Sequence, residues 1–285
     1  MDRARQKASL AIMCFLFAAL CYAPVANSNA DGTIDPLSSP VWRDVARKIL
    51  GSGDIVFDDR IKVVVPPVVE NQAQVPVTAD ARLVPNVTKL VVITDLNPIQ
   101  HVLTLTPVVG KTDPYISLRL KVEQATPVRA AALTSDGVWH VGGVFLEAAG
   151  GGCSSPAMAR DDADWSRTLG DTQGRMWRDA NGNARLRLRM RHPMDTGLAK
   201  DNTPAFYIEQ LTLKDGAGSD IGKLELFEPV AEDPTLTLLM KHAPASGDIT
   251  VEGRDNNGTI LRSVVTSPWK QSLEPSSISS ARKRS

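Results

Sequence analysis

Between Asp54 and Val265 one pattern recurs. Short runs that alternate apolar and polar residues, or that are rich in β-branched residues, are separated by turn signals. "IKVVV", "VPVTAD", "VTKLVVITD", "HVLTLTP", "YISLRLKVE" and "GVWHVGGVFLEA" form a first series. "ARLRLRMR", "TPAFYIEQLTLKD", "IGKLELFEPV", "PTLTLLMKH", "GDITVEGRD" and "TILRSVV" form a second. Period-two runs of this length read as strands. Between them stand "LNPIQ", "GKTDP", "TSDG", "DANGN" and "DNNG", with Gly258 placed for a tight hairpin. Many short strands at such spacing predict an all-β chain built as antiparallel sandwiches. The periodicity lapses from Ser154 to about Trp177. The chain therefore divides into a sandwich over 54–153, a linker over 154–178 and a second sandwich over 179–268.

The flanks differ. Arg3, Arg5 and Lys7 precede the apolar run "ASLAIMCFLFAALCYAPVA", and "NSNA" follows it. This predicts an export signal over 1–30. Over 31–53, "SSPVWRDVARKILGSGD" predicts one short helix, with Ser38 or Ser39 as cap, Pro40 in the first turn and Gly51 at the end. Residues 269–285 read as a disordered tail. Acidic and basic residues balance at 32 each, which gives no support to nucleic-acid binding.

Export makes the cysteines informative. Signal removal takes Cys14 and Cys21, which leaves Cys153 without an internal partner in an oxidising compartment. Gly150, Gly151 and Gly152 precede it and Ser154 follows. Three glycines carry no side chains to pack, so the segment reads as a mobile arm with an exposed thiol. From Ala148 to Cys153 it could extend by about 17 Å. The plainer alternative is a glycine-rich loop with an incidental cysteine. No neighbour in the arm lowers the thiol pKa, so an activated nucleophile is not indicated.

A second conspicuous run is "RMRHPMDTGLAKD". His192 and Asp195 could form an acid–base pair. The favoured reading is a shaped loop at a strand end, in which His192, Pro193, Asp195 and Gly197 are structural or interfacial. Arg185, Arg187, Arg189 and Arg191 fall on one strand face. They could hold an anion or a partner, although a solvated face is the favoured reading. His101, His140, His192 and His242 show no metal-ligand spacing, and no phosphate loop or nucleophile elbow is present. No metal or cofactor is expected.

The stretches "VPVTAD", "VTKLVVITDLNPIQHVLTLTP", "ISLRLKVEQATPVRAAALTSDG" and "GGGC" resemble SoxY, the sulfur-carrier subunit of bacterial sulfur oxidation. "LRLRMRHPMDTG", "PAFYIEQLTL", "LELFEPVAEDPTLTL" and "DITVEGRDNNGTI" resemble its partner SoxZ. The whole is similar to fused SoxYZ-like carriers associated with periplasmic quinoprotein alcohol dehydrogenases. The resemblance implies two immunoglobulin-like sandwiches in tandem, paired within one chain, with Cys153 as the carrier thiol. It implies a non-catalytic periplasmic protein that presents a covalently attached, sulfur-containing intermediate to sulfur-oxidation-type enzymes. The alternative is an accessory module that binds a quinoprotein dehydrogenase without using the thiol. One departure is visible. SoxY ends in GGCGG, whereas here Ser154, Ser155 and Pro156 follow and the chain continues.

Overall fold

The computed structural model describes residues 34–242 and 247–268. The export signal expected over 1–30 and the tail expected over 269–285 lie outside the described residues. The first half contains α1 (Trp42–Leu50), β1 (Ile55–Phe57), β2 (Lys62–Val64), β3 (Val75–Asp80), β4 (Val87–Thr94), β5 (His101–Pro107), β6 (Thr112–Leu120), β7 (Thr126–Thr134) and β8 (Trp139–Leu146). The second contains β9 (Thr172–Arg178), β10 (Ala184–Met190), β11 (Ile208–Asp215), β12 (Asp220–Leu226), β13 (Thr235–Met240), β14 (Ile249–Asp255) and β15 (Ile260–Val265). The all-β reading holds, with one short helix near the N-terminus.

The strands form two sheets. The larger runs β1-β8-β7-β4-β5-β12-β11-β14-β15, and the smaller runs β2-β3-β6-β13-β10-β9. Both cross from one half of the chain to the other. In the larger sheet β5 pairs antiparallel with β12, with Leu105 opposite Leu224. In the smaller, β6 pairs antiparallel with β13, with Ile116 opposite Leu238. The sandwiches therefore stand in tandem but are not separately packed. One core, from Val77 and Leu105 to Leu224 and Val251, runs through both. The physical reason is edge satisfaction. An isolated sandwich leaves unpaired N–H and C=O groups along its outer strands, and these four edge strands cover one another.

Alternation decides which side chains enter this core. In β10, Ala184, Leu186, Leu188 and Met190 are buried while Arg185, Arg187 and Arg189 are exposed. By contrast β7 is buried along almost its whole length, because α1 covers its outer face. Trp42, Val45, Ala46 and Leu50 of α1 pack on Val91, Ile93, Ala131, Trp139 and Val141. Trp139 Nε1 donates to the Leu50 carbonyl at 3.1 Å. The expected serine cap is absent: Val41 occupies the N-cap with no side-chain bond. The approach is instead set by Asp35, whose carboxylate accepts from the Leu37 and Ser39 amides.

That carboxylate belongs to a buried cluster. Arg129 is 1 % exposed, and its Nε lies 3.0 and 2.9 Å from the two oxygens of Asp95. Its Nη1 and Nη2 donate to Asp35 at 2.8 and 2.7 Å, and its guanidinium stacks 4.2 Å from the Trp42 ring. The N-terminal segment is therefore held by a charge as well as by apolar contact.

The linker expected over 154–178 is also revised. Thr172–Arg178 is a full strand that pairs along its length with β10. Met158–Asp161 forms a 3-10 turn, and Arg160 meets Asp195 at 2.5 Å. No period-two pattern marks β9, because Gly174 faces Val265 across the sandwich where a large apolar residue would otherwise stand.

Candidate functional site

Cys153 lies at the seam between the halves. It is 1 % exposed, and its Sγ lies 3.6 Å from the Lys121 carbonyl oxygen, to which the thiol donates. This overturns the expectation of an exposed thiol: the arm is docked, with its sulfur buried. The reason is visible in the backbone. The Gly152 amide donates to the Val122 carbonyl at 2.9 Å, and the Gly151 amide to the Glu123 carbonyl at 3.2 Å. A Cβ on Gly152 would collide with the Gln72 carbonyl, and one on Gly150 with the Glu123 carbonyl. Gly150 also has φ +98°. The glycines allow one stretch of backbone to lie directly on another, which side chains would prevent.

Glu123 fastens the arm. One carboxylate oxygen accepts from the amides of Cys153 and Ser154, each at 3.0 Å, and the other accepts from the Ser154 hydroxyl at 2.9 Å. Asn97 holds Glu123 and Lys121 in place. Its Oδ1 accepts from the Glu123 amide at 2.9 Å, and its Nδ2 donates to the Lys121 carbonyl at 2.8 Å.

The second half closes the seat. The Thr196 hydroxyl donates to the Cys153 carbonyl at 2.6 Å. The Lys121 ammonium, 3 % exposed, donates to the Met194 carbonyl. Both Met194 and Thr196 belong to "HPMDTG", so the structure brings the two singled-out segments together. Burial lowers the Lys121 pKa, opposed by Asp195, Cys153 and Glu232. The Cys153 thiol is pushed up to about 12, first by burial and then by the Glu123 charge, against a smaller opposing effect of Lys121. In this closed form the sulfur is a protonated thiol, not a nucleophile. Lys121, Glu123, Asn97 and Thr196 are missed from the sequence. The only trace of them is a lysine and a glutamate flanking Val122 at a strand end.

His192 is fully buried and does not pair with Asp195, which binds Arg160. Its Nδ1 accepts from the Met194 amide at 3.1 Å, its ring lies 4.5 Å from that of Phe206, and its amide donates to Asp233 at 3.1 Å. Nε2 lies 3.9 Å from Asp255 Oδ2. Gly197 turns the chain at φ +76° against Ala205, and Pro193 is buried beside His192. The loop after β10 thus packs around His192. Among the described residues no three His, Cys, Asp or Glu side chains converge as metal ligands.

Burial lowers the His192 pKa to about 4 from 6.5; Asp255 and Asp233 oppose this, whereas Arg160 and Lys121 assist it. Between those values the unfolded chain binds a proton that the folded chain does not. Stability should therefore fall as the pH drops from 6.5 towards 4, by about 3 kcal/mol at full effect. Thermal melts from pH 7 to 4.5 should show the fall, with a shallower slope in His192→Gln. An unchanged slope would remove His192 as its source. His101, which burial also lowers to about 4, accounts for slope that remains.

The glycine contacts make a second prediction. Gly152→Ala should lift the arm, speed native alkylation of Cys153 at least about tenfold and lower the melting temperature by a few degrees. Gly151→Ala meets nothing within 4 Å and carries only the strain of φ +88°, about 1 kcal/mol. Equal effects of the two variants would show that the arm is not docked.

Residues 46–153 match the sulfur oxidation protein SoxY, and residues 175–266 match the sulphur oxidation protein SoxZ. The chain is a fused SoxYZ-like protein of the sulfur-oxidation carrier family. Cys153 is the last residue of the SoxY match. Among solved structures, the sulfur carrier protein SoxY from Chlorobium limicola f thiosulfatophilum is 22% identical over 38% of this chain and 94% of that chain, with a TM-score of 0.34. A tetra-tandem repeat in the extending region of a large adhesion protein is 17% identical over 75% of this chain and 48% of that one, with a TM-score of 0.21. A glycosyl hydrolase family 2 member from Bacteroides cellulosilyticus DSM 14838 is 12% identical over 72% and 28%, with a TM-score of 0.22. The chain spans less than half the length of the latter two. No curated protein matches the chain.

Proposed function

We propose that the protein is a non-catalytic periplasmic carrier in which Cys153 bears a covalently attached, sulfur-containing intermediate. The observation that supports this reading is the seat itself. The sole cysteine among the described residues ends the SoxY-like half on a segment held down by polar contacts to Glu123 and Thr196. Such contacts exchange for water at small net cost, so the arm can lift without unfolding the sandwich. In this reading the closed arm stores the thiol protonated and protected, and the lifted arm presents it to sulfur-oxidation-type enzymes. Both sandwiches are needed, because Thr196 and Met194 close a seat that the first half opens.

The burial of the thiol favours a second reading: an accessory module that binds a periplasmic quinoprotein alcohol dehydrogenase and leaves Cys153 unused. Intact mass of the protein isolated from its native periplasm separates them. The carrier should show reductant-sensitive additions that vanish in Cys153→Ser. An unmodified mass in material that still binds the dehydrogenase would establish the accessory module.

A further inference from the structure

The arginines of β10 are not all neutralised. Arg189 and Arg191 reach Asp233 at 2.9 and 3.3 Å, and Arg191 also reaches Asp162 at 2.7 Å. Arg187 has no such partner among the described residues. Directly opposite it on β9, on the same outer face, stands Arg175. Like charges at directly opposed positions of a sheet repel. Arg119 of β6 adds a further exposed guanidinium two strands away, with no carboxylate in ion-pair reach among the described residues. Trp177 lies between Arg175 and Arg185, 5.2 and 4.3 Å from their guanidiniums, and so restricts both. Gln173, Arg175, Trp177, Arg187, Arg189 and Thr235 line one shallow open trough.

A repulsive, unneutralised arrangement on a sheet that could have carried any polar residue is explained by an anion supplied from outside. We propose that the outer face of β9 and β10 is a docking surface for a carboxylate-rich face of a partner protein. The guanidiniums are spread over neighbouring strands, about 5 Å apart across the sheet and about 7 Å apart along it. They do not converge on one point, as a small oxyanion requires. Arginine and tryptophan together are the side chains that most often anchor protein interfaces. The outward neighbours Ser117, Thr235 and Thr237 supply no apolar wedge for a bilayer. The chain is electrically neutral as a whole, so attraction to an acidic surface must come from such a local patch. The face adjoins the arm's surroundings. Gln74 lines a neighbouring trough with Arg119, Arg187 and the carboxylates of Glu232 and Asp233, neither of which comes within ion-pair distance of Arg119 or Arg187. Gln74 donates to the Glu232 carbonyl, and the Glu232 carboxylate accepts from the Met158 amide just past the arm.

The probe is immobilised poly-L-glutamate, applied to the full chain at about 20 mM and about 150 mM salt. The wild-type chain should bind, more weakly at the higher salt, and Arg175→Glu/Arg187→Glu should bind at least about tenfold more weakly. Arg43→Glu/Lys48→Glu on the exposed side of α1 should stay within about twofold of wild type. Cys153→Ser should bind as wild type, so this surface stands or falls independently of the thiol. Arg187→Glu alone should raise the melting temperature by about 1–2 °C, because it turns a repulsive pair into an attractive one. A solvated face of no function would give equal losses from both double variants, or no binding at low salt. Loss of binding to sulfate at matched ionic strength would assign the face to a small oxyanion. Tighter binding to phosphatidylglycerol vesicles than to poly-L-glutamate would assign it to a membrane. Any of these results overturns the proposal.

Discussion

In the folded protein at pH 8, Cys153 should react with iodoacetamide about 1000-fold more slowly than in guanidinium chloride. The thiolate is the reacting species, and a pKa raised from 9.0 to about 12 removes that fraction of it. Burial to 1 % exposure adds a steric barrier on top. The pH dependence carries the same signature. The denatured rate should level off above about pH 10, whereas the native rate should still be rising steeply there. Glu123→Ala removes three hydrogen bonds that hold the arm and the negative charge beside the sulfur. It should bring the native rate most of the way to the denatured one while the sandwich stays folded. A wild-type native rate within about tenfold of the denatured rate would mean that the arm is free in solution, and the docked seat would then be wrong.

Arg129→Met should cost about 3–5 kcal/mol of stability, seen as a melting temperature lower by about 10–15 °C. The variant keeps most of the stem's packing on Trp42 but strands Asp95, which is fully buried and whose carboxyl burial pushes up against the opposing Arg129 bonds. It also frees Asp35, which is held below the usual carboxylate range: burial works against ionisation, and the bonds from Arg129, Ser39 and Leu37 outweigh it. Adding Asp95→Asn should restore part of the loss, since it removes the orphaned charge. Proteolysis of Arg129→Met should begin in 34–50, because that segment loses its tether. A melting temperature within about 2 °C of wild type would show that α1 is held by its apolar face alone.

The strand runs were legible because alternation is a local property. "ARLRLRMR" states which of its side chains enter a core without reference to any partner strand. Gly258 was legible for the same reason: a turn between Asp255 and Thr259 closes within its own few residues. β9 was not legible, since only Met176 marks its inward face, and the inward position before it is a glycine facing Val265 from the far end of the chain. Nor was the joining of the sandwiches, because β5–β12 and β6–β13 pairing depends on which edges meet and not on what either strand contains.

The site divides along the same line. The sequence by itself determined that Cys153 follows three glycines with no second cysteine over 34–268, and that "HPMDTG", with its proline and glycine, does not continue the strand before it. Both follow from residue type and local backbone preference. Whether three glycines make a swinging arm or a close-packed one is not a local property, because absence of a side chain permits both. The tertiary structure decided it. Glu123, thirty residues before Cys153, and Thr196, forty-three residues after it, meet the arm from opposite halves of the chain. Only the folding of both sheets into one frame brings them there.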